Sequence, residues 1–127
     1  MTRAPTGEIA IIFTDVEGST ALWDRIPDAM QKAVERHDEL LRRLLVEHRG
    51  YEVKSEGDAF MAAFAEARDA VEWCLQAQRL LLTLNWPGLL GDQPESSTER
   101  RADGSLISEG LRVRMGGHIG RPNHRKN

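Results

Sequence analysis

Apolar and polar positions along the chain follow two rhythms, one with a period of two and one near 3.6, and glycine and proline mark most of the places where they change. Residues 8–13 form a short, almost continuous apolar run rich in β-branched side chains, the pattern of a strand buried on both faces. Over 27–49, Met30, Val34, His37, Leu41, Leu44 and His48 recur at three- and four-residue spacing with charges between them, which predicts a long amphipathic helix. Pro27 suits its first turn and Gly50 its C-terminal cap. A short extended stretch over 51–54, a turn at Gly57-Asp58 and a second apolar strand over 59–64 predict a hairpin with Asp58 near its tip. The helical period returns over 66–84, with Val71, Cys74, Leu75, Gln78, Leu81 and Leu82 on one side. Over 86–110 prolines, glycines and serines interrupt any period, so an inserted, mobile loop is expected there. Leu111-Arg112-Val113-Arg114-Met115 alternates apolar and basic residues as a half-exposed strand does, and 121–127 is a polar, basic tail expected to fray.

Strand, helix, hairpin, helix, strand is the order of α+β architectures in which helices cover one face of a mostly antiparallel sheet. The 127 residues suffice for a single domain that buries roughly two-thirds of its unfolded surface. A hydrophobic fraction of 40% and a charged fraction of 29% are those of an ordinary globular chain. The net charge of -3 and pI near 5.8 disfavour a nucleic-acid binder, as does the lack of paired surface aromatics that an RNA-binding sheet would show. Any anionic ligand must then be held locally. No stretch approaches the ~18 apolar residues of a membrane span, and no apolar signal region follows the start, so a cytoplasmic location is expected. Cys74 is the one cysteine, with no disulfide partner in the chain, and is expected to be a small core residue.

Two acidic positions stand out. Asp15 follows the first strand and precedes a helix start, and Asp58 sits at the hairpin tip, so one sheet can bring them together. Two carboxylates with little to neutralise them suit a divalent metal with a preference for oxygen, Mg²⁺ or Mn²⁺; aspartates in turns also serve as local hydrogen-bond acceptors, and these residues alone leave both readings open. Residues 16–20 likewise fit either a phosphate cradle of backbone N–H groups at a helix start or simple capping by Ser19 or Thr20. Trp23, Trp73 and Trp86 lie in or beside amphipathic helices and are expected in the core. His37 and His48 are too far apart along their helix to share a metal, and His118 and His124 have no acidic or cysteine partner nearby in sequence.

The segments Phe13-Thr14-Asp15-Val16-Glu17-Gly18-Ser19-Thr20, Tyr51-Glu52-Val53-Lys54-Ser55-Glu56-Gly57-Asp58-Ala59-Phe60-Met61 and Leu111-Arg112-Val113-Arg114-Met115-Gly116 together resemble the class III adenylyl/guanylyl cyclase catalytic domain, most closely its fungal and kinetoplastid-like branch. The resemblance implies a ferredoxin-like cyclase fold, here a single partial domain over 1–127. It implies two Mg²⁺ or Mn²⁺ ions held by Asp15 and Asp58 with the Val16 carbonyl, and phosphates contacted by the backbone of Glu17, Gly18, Ser19 and Thr20. Lys54 matches the base-recognising lysine of adenylyl cyclases, which implies ATP as the substrate, converted to cyclic AMP and pyrophosphate in signal transduction. An ammonium donor suits adenine N1, an acceptor. The family's second base-contacting Asp or Thr, its ribose-positioning Asn and its transition-state Arg belong to a later segment than the one seen here. The implied assembly is a homodimer, or a heterodimer with another class III cyclase subunit. The alternative is a catalytically degenerate regulatory or dimerisation module that binds metal-nucleotide.

Overall fold

The computed structural model describes residues 8–120; the tail expected to fray over 121–127 lies outside them. In chain order come β1 (Ile9–Val16), α1 (Ser19–Arg25), α2 (Pro27–Glu47), β2 (Gly50–Glu56), β3 (Ala59–Phe64) and α3 (Ala67–Leu81). A 3-10 turn (Gly88–Asp92), two short strands β4 (Glu99–Arg100) and β5 (Leu106–Ser108), and β6 (Val113–Gly120) follow. The main sheet has the order β2-β3-β1-β6 with every pairing antiparallel, and β4 and β5 form a separate small ribbon. This is the expected α+β architecture.

Alternation along β1 divides core from site. Ala10, Ile12, Thr14 and Val16 are buried toward the helices, while Ile11, Phe13 and Asp15 take the opposite, open face. On the helix side they meet Met30, Ala33, Leu41 and Leu44 of α2 and Ala70, Trp73, Ala77 and Leu81 of α3 in one apolar cluster with Phe60 and Phe64 of β3. Trp73 is at its centre, with no exposed surface, its ring 5.6 Å from that of Phe64, and its Nε1–H donating to the Leu41 carbonyl at 3.2 Å. Trp73→Ala should cost about 3–5 kcal/mol of unfolding free energy, as large-to-small changes in well-packed cores do. Denaturant unfolding followed by circular dichroism measures it, and a loss below about 1 kcal/mol would show that the ring is not tightly packed.

Several sequence expectations change. The buried face of α3 is Ala70, Trp73, Ala77 and Leu81, and Val71 and Leu75 are 56% and 62% exposed; the alanines let the helix lie close to the sheet, so they form the seam. Gly50 does not cap α2. Arg49 takes the left-handed position with φ 59°, and Gly50 begins β2 under Phe64, whose Cε2 would lie 2.6 Å from any added Cβ. The last strand runs on through Gly116 and Gly117 to Gly120, because β1 supplies partners along its whole length. Residues 86–110 are no featureless loop: Leu90 and Ser96 are buried, and the Ser96 hydroxyl donates to the Leu90 carbonyl at 2.6 Å. Trp86 is half-buried there, its Nε1–H donating to the Leu81 carbonyl at 2.9 Å, whereas Trp23 on α1 is exposed.

Candidate active site

The sheet register decides which acidic groups meet. Thr14 of β1 lies opposite Phe60 of β3. One step further along the antiparallel pair places Asp15 opposite Ala59, beside Asp58 in the β2–β3 turn. Both aspartates are half-buried. On its other side β1 pairs with β6, and Asp15 lies opposite Arg114. The Arg114 Nε–H and Nη2–H each donate to one oxygen of the Asp15 carboxylate, both at 2.8 Å. Those hydrogen bonds hold the Asp15 carboxyl below its ordinary range, so it stays ionised throughout the neutral range. The stability this pair contributes is present above the unfolded carboxylate pKa and is lost as pH falls through the lower folded value.

Arg114 was not singled out from the sequence. The signal was there: Val113 and Met115 are apolar neighbours that turn inward, so Arg114 must share the open face with Asp15.

The segment after β1 turns sharply. Val16 is buried, and the Glu17 N–H donates to the Arg112 carbonyl at 2.8 Å. Gly18 has φ 67°, in the left-handed region open to glycine at little cost, and serves as the N-cap of α1. Capping by Ser19 or Thr20 does not occur: α1 begins at Ser19, and among the described residues no side chain caps this end. The amides of its first turn therefore have no intrahelical partner. Ser19 is half-buried and Thr20 exposed.

The insertion closes on this turn. The Arg25 guanidinium of α1 donates to both oxygens of Glu95 at 2.8 Å and to Gln93 at 3.1 Å. A Cβ on Gly18 would lie 2.6 Å from Cγ of Glu95. From the other side Arg112 donates to the carbonyls of Pro94 and Ser97 and to the Glu99 carboxylate.

Lys54 is exposed on β2, opposite Met61, on the same face as Phe13. His37 and His48 take structural places. His37 is buried with Nδ1 2.8 Å from Asp38, and His48 bonds Gln76 at 3.0 Å. Cys74 is half-buried, and burial raises its thiol pKa. Among the described residues no group of three or more His, Cys, Asp and Glu side chains is placed to hold a metal. Two carboxylates next to a free backbone turn nevertheless fit Mg²⁺, which commonly binds through one or two protein carboxylates, with water and substrate phosphates completing its shell. The Arg114 guanidinium bound to Asp15 shows that this corner of the sheet accommodates a cation.

Comparison with known proteins points the same way. Residues 1–123 match the family described as the adenylate and guanylate cyclase catalytic domain. The adenylate cyclase of Podospora anserina is 49% identical over 119 residues, which are 94% of this chain and 6% of that protein. That of Lachancea kluyveri is 45% identical over 93% of this chain and 6% of its own length. A Trypanosoma brucei adenylate cyclase, solved in its monomeric state, superposes with a TM-score of 0.82 at 34% identity, covering 98% of this chain and 62% of that one. The chain thus spans a small part of its fungal relatives and somewhat under two-thirds of the trypanosomal chain. With the fold and these matches in agreement, the chain belongs to the adenylate and guanylate cyclase catalytic domain family.

Proposed function

We propose that this chain supplies the metal-bearing half-site of an adenylate cyclase, converting ATP to 3',5'-cyclic AMP and pyrophosphate in cyclic-nucleotide signalling. The observation that carries the proposal is the antiparallel register of β1 against β3, in which the Asp15 end of β1 runs beside the β2–β3 turn that contains Asp58. Asp15, Asp58 and the Val16 carbonyl would hold two Mg²⁺ or Mn²⁺ ions. When bound, such ions lower the pKa of the ribose 3'-hydroxyl and neutralise the departing phosphates. The amides of Gly18, Ser19 and Thr20 at the uncapped start of α1 would contact the phosphates, while the Glu17 N–H is already bonded to the Arg112 carbonyl. The ribose 3'-oxygen then forms its bond to the α-phosphorus as the bond to the pyrophosphate oxygen breaks, and the hydroxyl proton goes to solvent.

Lys54 donates to adenine N1 from the opposite half of a dimeric site, formed by a second copy or by another class III subunit. Adenylate cyclase relatives on two branches support ATP over GTP. The working compartment we assign is the cytosol; among the described residues no helix is long and apolar enough to cross a membrane.

Calorimetric titration of the 127-residue chain with Mn²⁺ and Mn-ATP tests the proposal, and no binding of either would overturn it. Arg114 competes with a cation for the Asp15 oxygens, so Arg114→Met should tighten Mn²⁺ binding in the absence of nucleotide. An exposed ion pair of this kind supports a gain of about threefold. An unchanged or weaker affinity would mean that Asp15 is not a ligand.

A further inference from the structure

The pairing of β2 with β3 contains one extra residue. Glu52 lies opposite Ala62 and Lys54 opposite Met61, so Val53 has no partner and forms a bulge. Side chains alternate between the two faces of a sheet, so one surplus residue exchanges the faces of everything beyond it. Were Val53 to take the place opposite Met61, Lys54 would fall opposite Phe60, whose side chain is buried under α2. With the bulge, Lys54 joins Phe13 and Met61 beside a cleft of about 110 Å³ on the open side.

Val53 itself does little to hold this arrangement, being 43% exposed. The hold comes from α2. The Arg42 Nε–H donates to Glu52 Oε1 at 2.9 Å, and its Nη2–H lies 3.3 Å from both Glu52 Oε2 and Ser55 Oγ. Its guanidinium carbon stands 5.2 Å from the centre of the Phe60 ring. In an unbroken strand residues 52 and 55 point to opposite faces. They reach one guanidinium on the helix side only because a residue is inserted between them. The contacts of Arg42 are thus specific to the bulged register.

We infer that Arg42 is a positioning residue for base selection, tying Glu52 to Ser55 so that Lys54 faces the nucleotide. This rests on the assignment of Lys54 as the adenine contact, and the experiment separates the two. Binding of Mn-ATP and Mn-GTP to the full 127-residue chain is measured by calorimetry. Lys54→Met should lower the ATP preference by about tenfold, the scale of one charged hydrogen bond. If it does not, the base assignment fails, and base selection by Arg42 fails with it. If it does, Arg42→Met should erode the preference by a similar factor while leaving the affinity for Mn²⁺ alone unchanged.

Deleting Val53 makes the ladder regular with Lys54 still opposite Met61. The preference should survive that deletion, and Arg42→Met should then have no further effect on it. An Arg42→Met effect that persists in the deletion, or an unchanged preference where Lys54→Met changes it, overturns the inference. Should the deletion variant not fold, the register is read directly in a Cys74→Ala background. Met61→Cys should cross-link with Lys54→Cys when Arg42 is present, and Arg42→Met should shift cross-linking toward Val53→Cys. No such shift also overturns it.

Discussion

Mixed with a full-length class III cyclase subunit whose two metal-binding aspartates are both changed to alanine, this chain is expected to restore cyclic AMP formation from Mn-ATP. Neither protein alone should be active. The mutated subunit keeps its base pocket, Asn and Arg but lacks the metal ligands; this chain carries Asp15 and Asp58, and those later residues belong to a segment beyond the one seen here. In the mixed dimer one composite site takes Asp15 and Asp58 from this chain and the remaining groups from its partner, while the reciprocal site stays dead. Preorganised charge at such sites is commonly worth ~10²–10³ in rate per donor, so the contrast is between background and clear turnover. Asp58→Ala in this chain should return the mixture to background. Association without cyclic AMP would mean that this corner of the sheet does not present its carboxylates in a working geometry, and would favour a regulatory module that binds nucleotide without turning it over.

The second large effect is on metal binding by the chain itself. Asp15→Ala and Asp58→Ala should each strongly weaken calorimetric Mn²⁺ binding, and their residual affinities should differ. Removing Asp15 also leaves the Arg114 guanidinium unpaired on the same face, so a cation meets a repulsion that Asp58→Ala does not create. Asp15→Ala should therefore be the worse of the two. Folding is not the confounder it would be in a core position. The Asp15 and Arg114 side chains are 47% and 63% exposed, and a pair that open to solvent contributes about 0–1 kcal/mol. Equal Mn²⁺ binding by native chain and both variants, with unchanged thermal transitions, would remove the aspartates from the site.

The strands that carry the site could be read from the sequence because their physics is local. β1 and β3 are apolar runs between turn residues, and Asp58 directly precedes the second of them; β1, however, runs on past Phe13 to Val16, so Asp15 lies within the strand and not after it as expected. What the sequence hid is set by partners distant along the chain. The core face of α3 was misplaced because Val71 and Leu75 are large and apolar, whereas Ala70 and Ala77 contribute little to an apolar pattern although they allow the closest packing. β6 looks finished at Met115, since Gly116 and Gly117 carry no strand signal; β1 imposes the rest of it. The bulge at Val53 leaves no local mark at all. Only its parity, visible once Glu52 and Ser55 are seen at the same guanidinium, reveals it. The order in 86–110 likewise depends on Arg25 and Arg112, which belong to other parts of the chain.

That insertion has a bearing on how such a domain can diverge. Its ribbon end, where Asp103 and Ser105 make a local turn, bonds only within itself and can gain or lose residues without consequence elsewhere. The stretch from Gln93 to Ser97 has no such latitude, because Glu95 is packed against Gly18 and tied to Arg25. A lineage that replaces Glu95 must also accommodate a changed surface beneath its glycine turn, and one that replaces Gly18 must find room for a side chain where Glu95 now sits. The packing thus couples two positions that have more than half the chain between them, and a change at one bears directly on what the other can be.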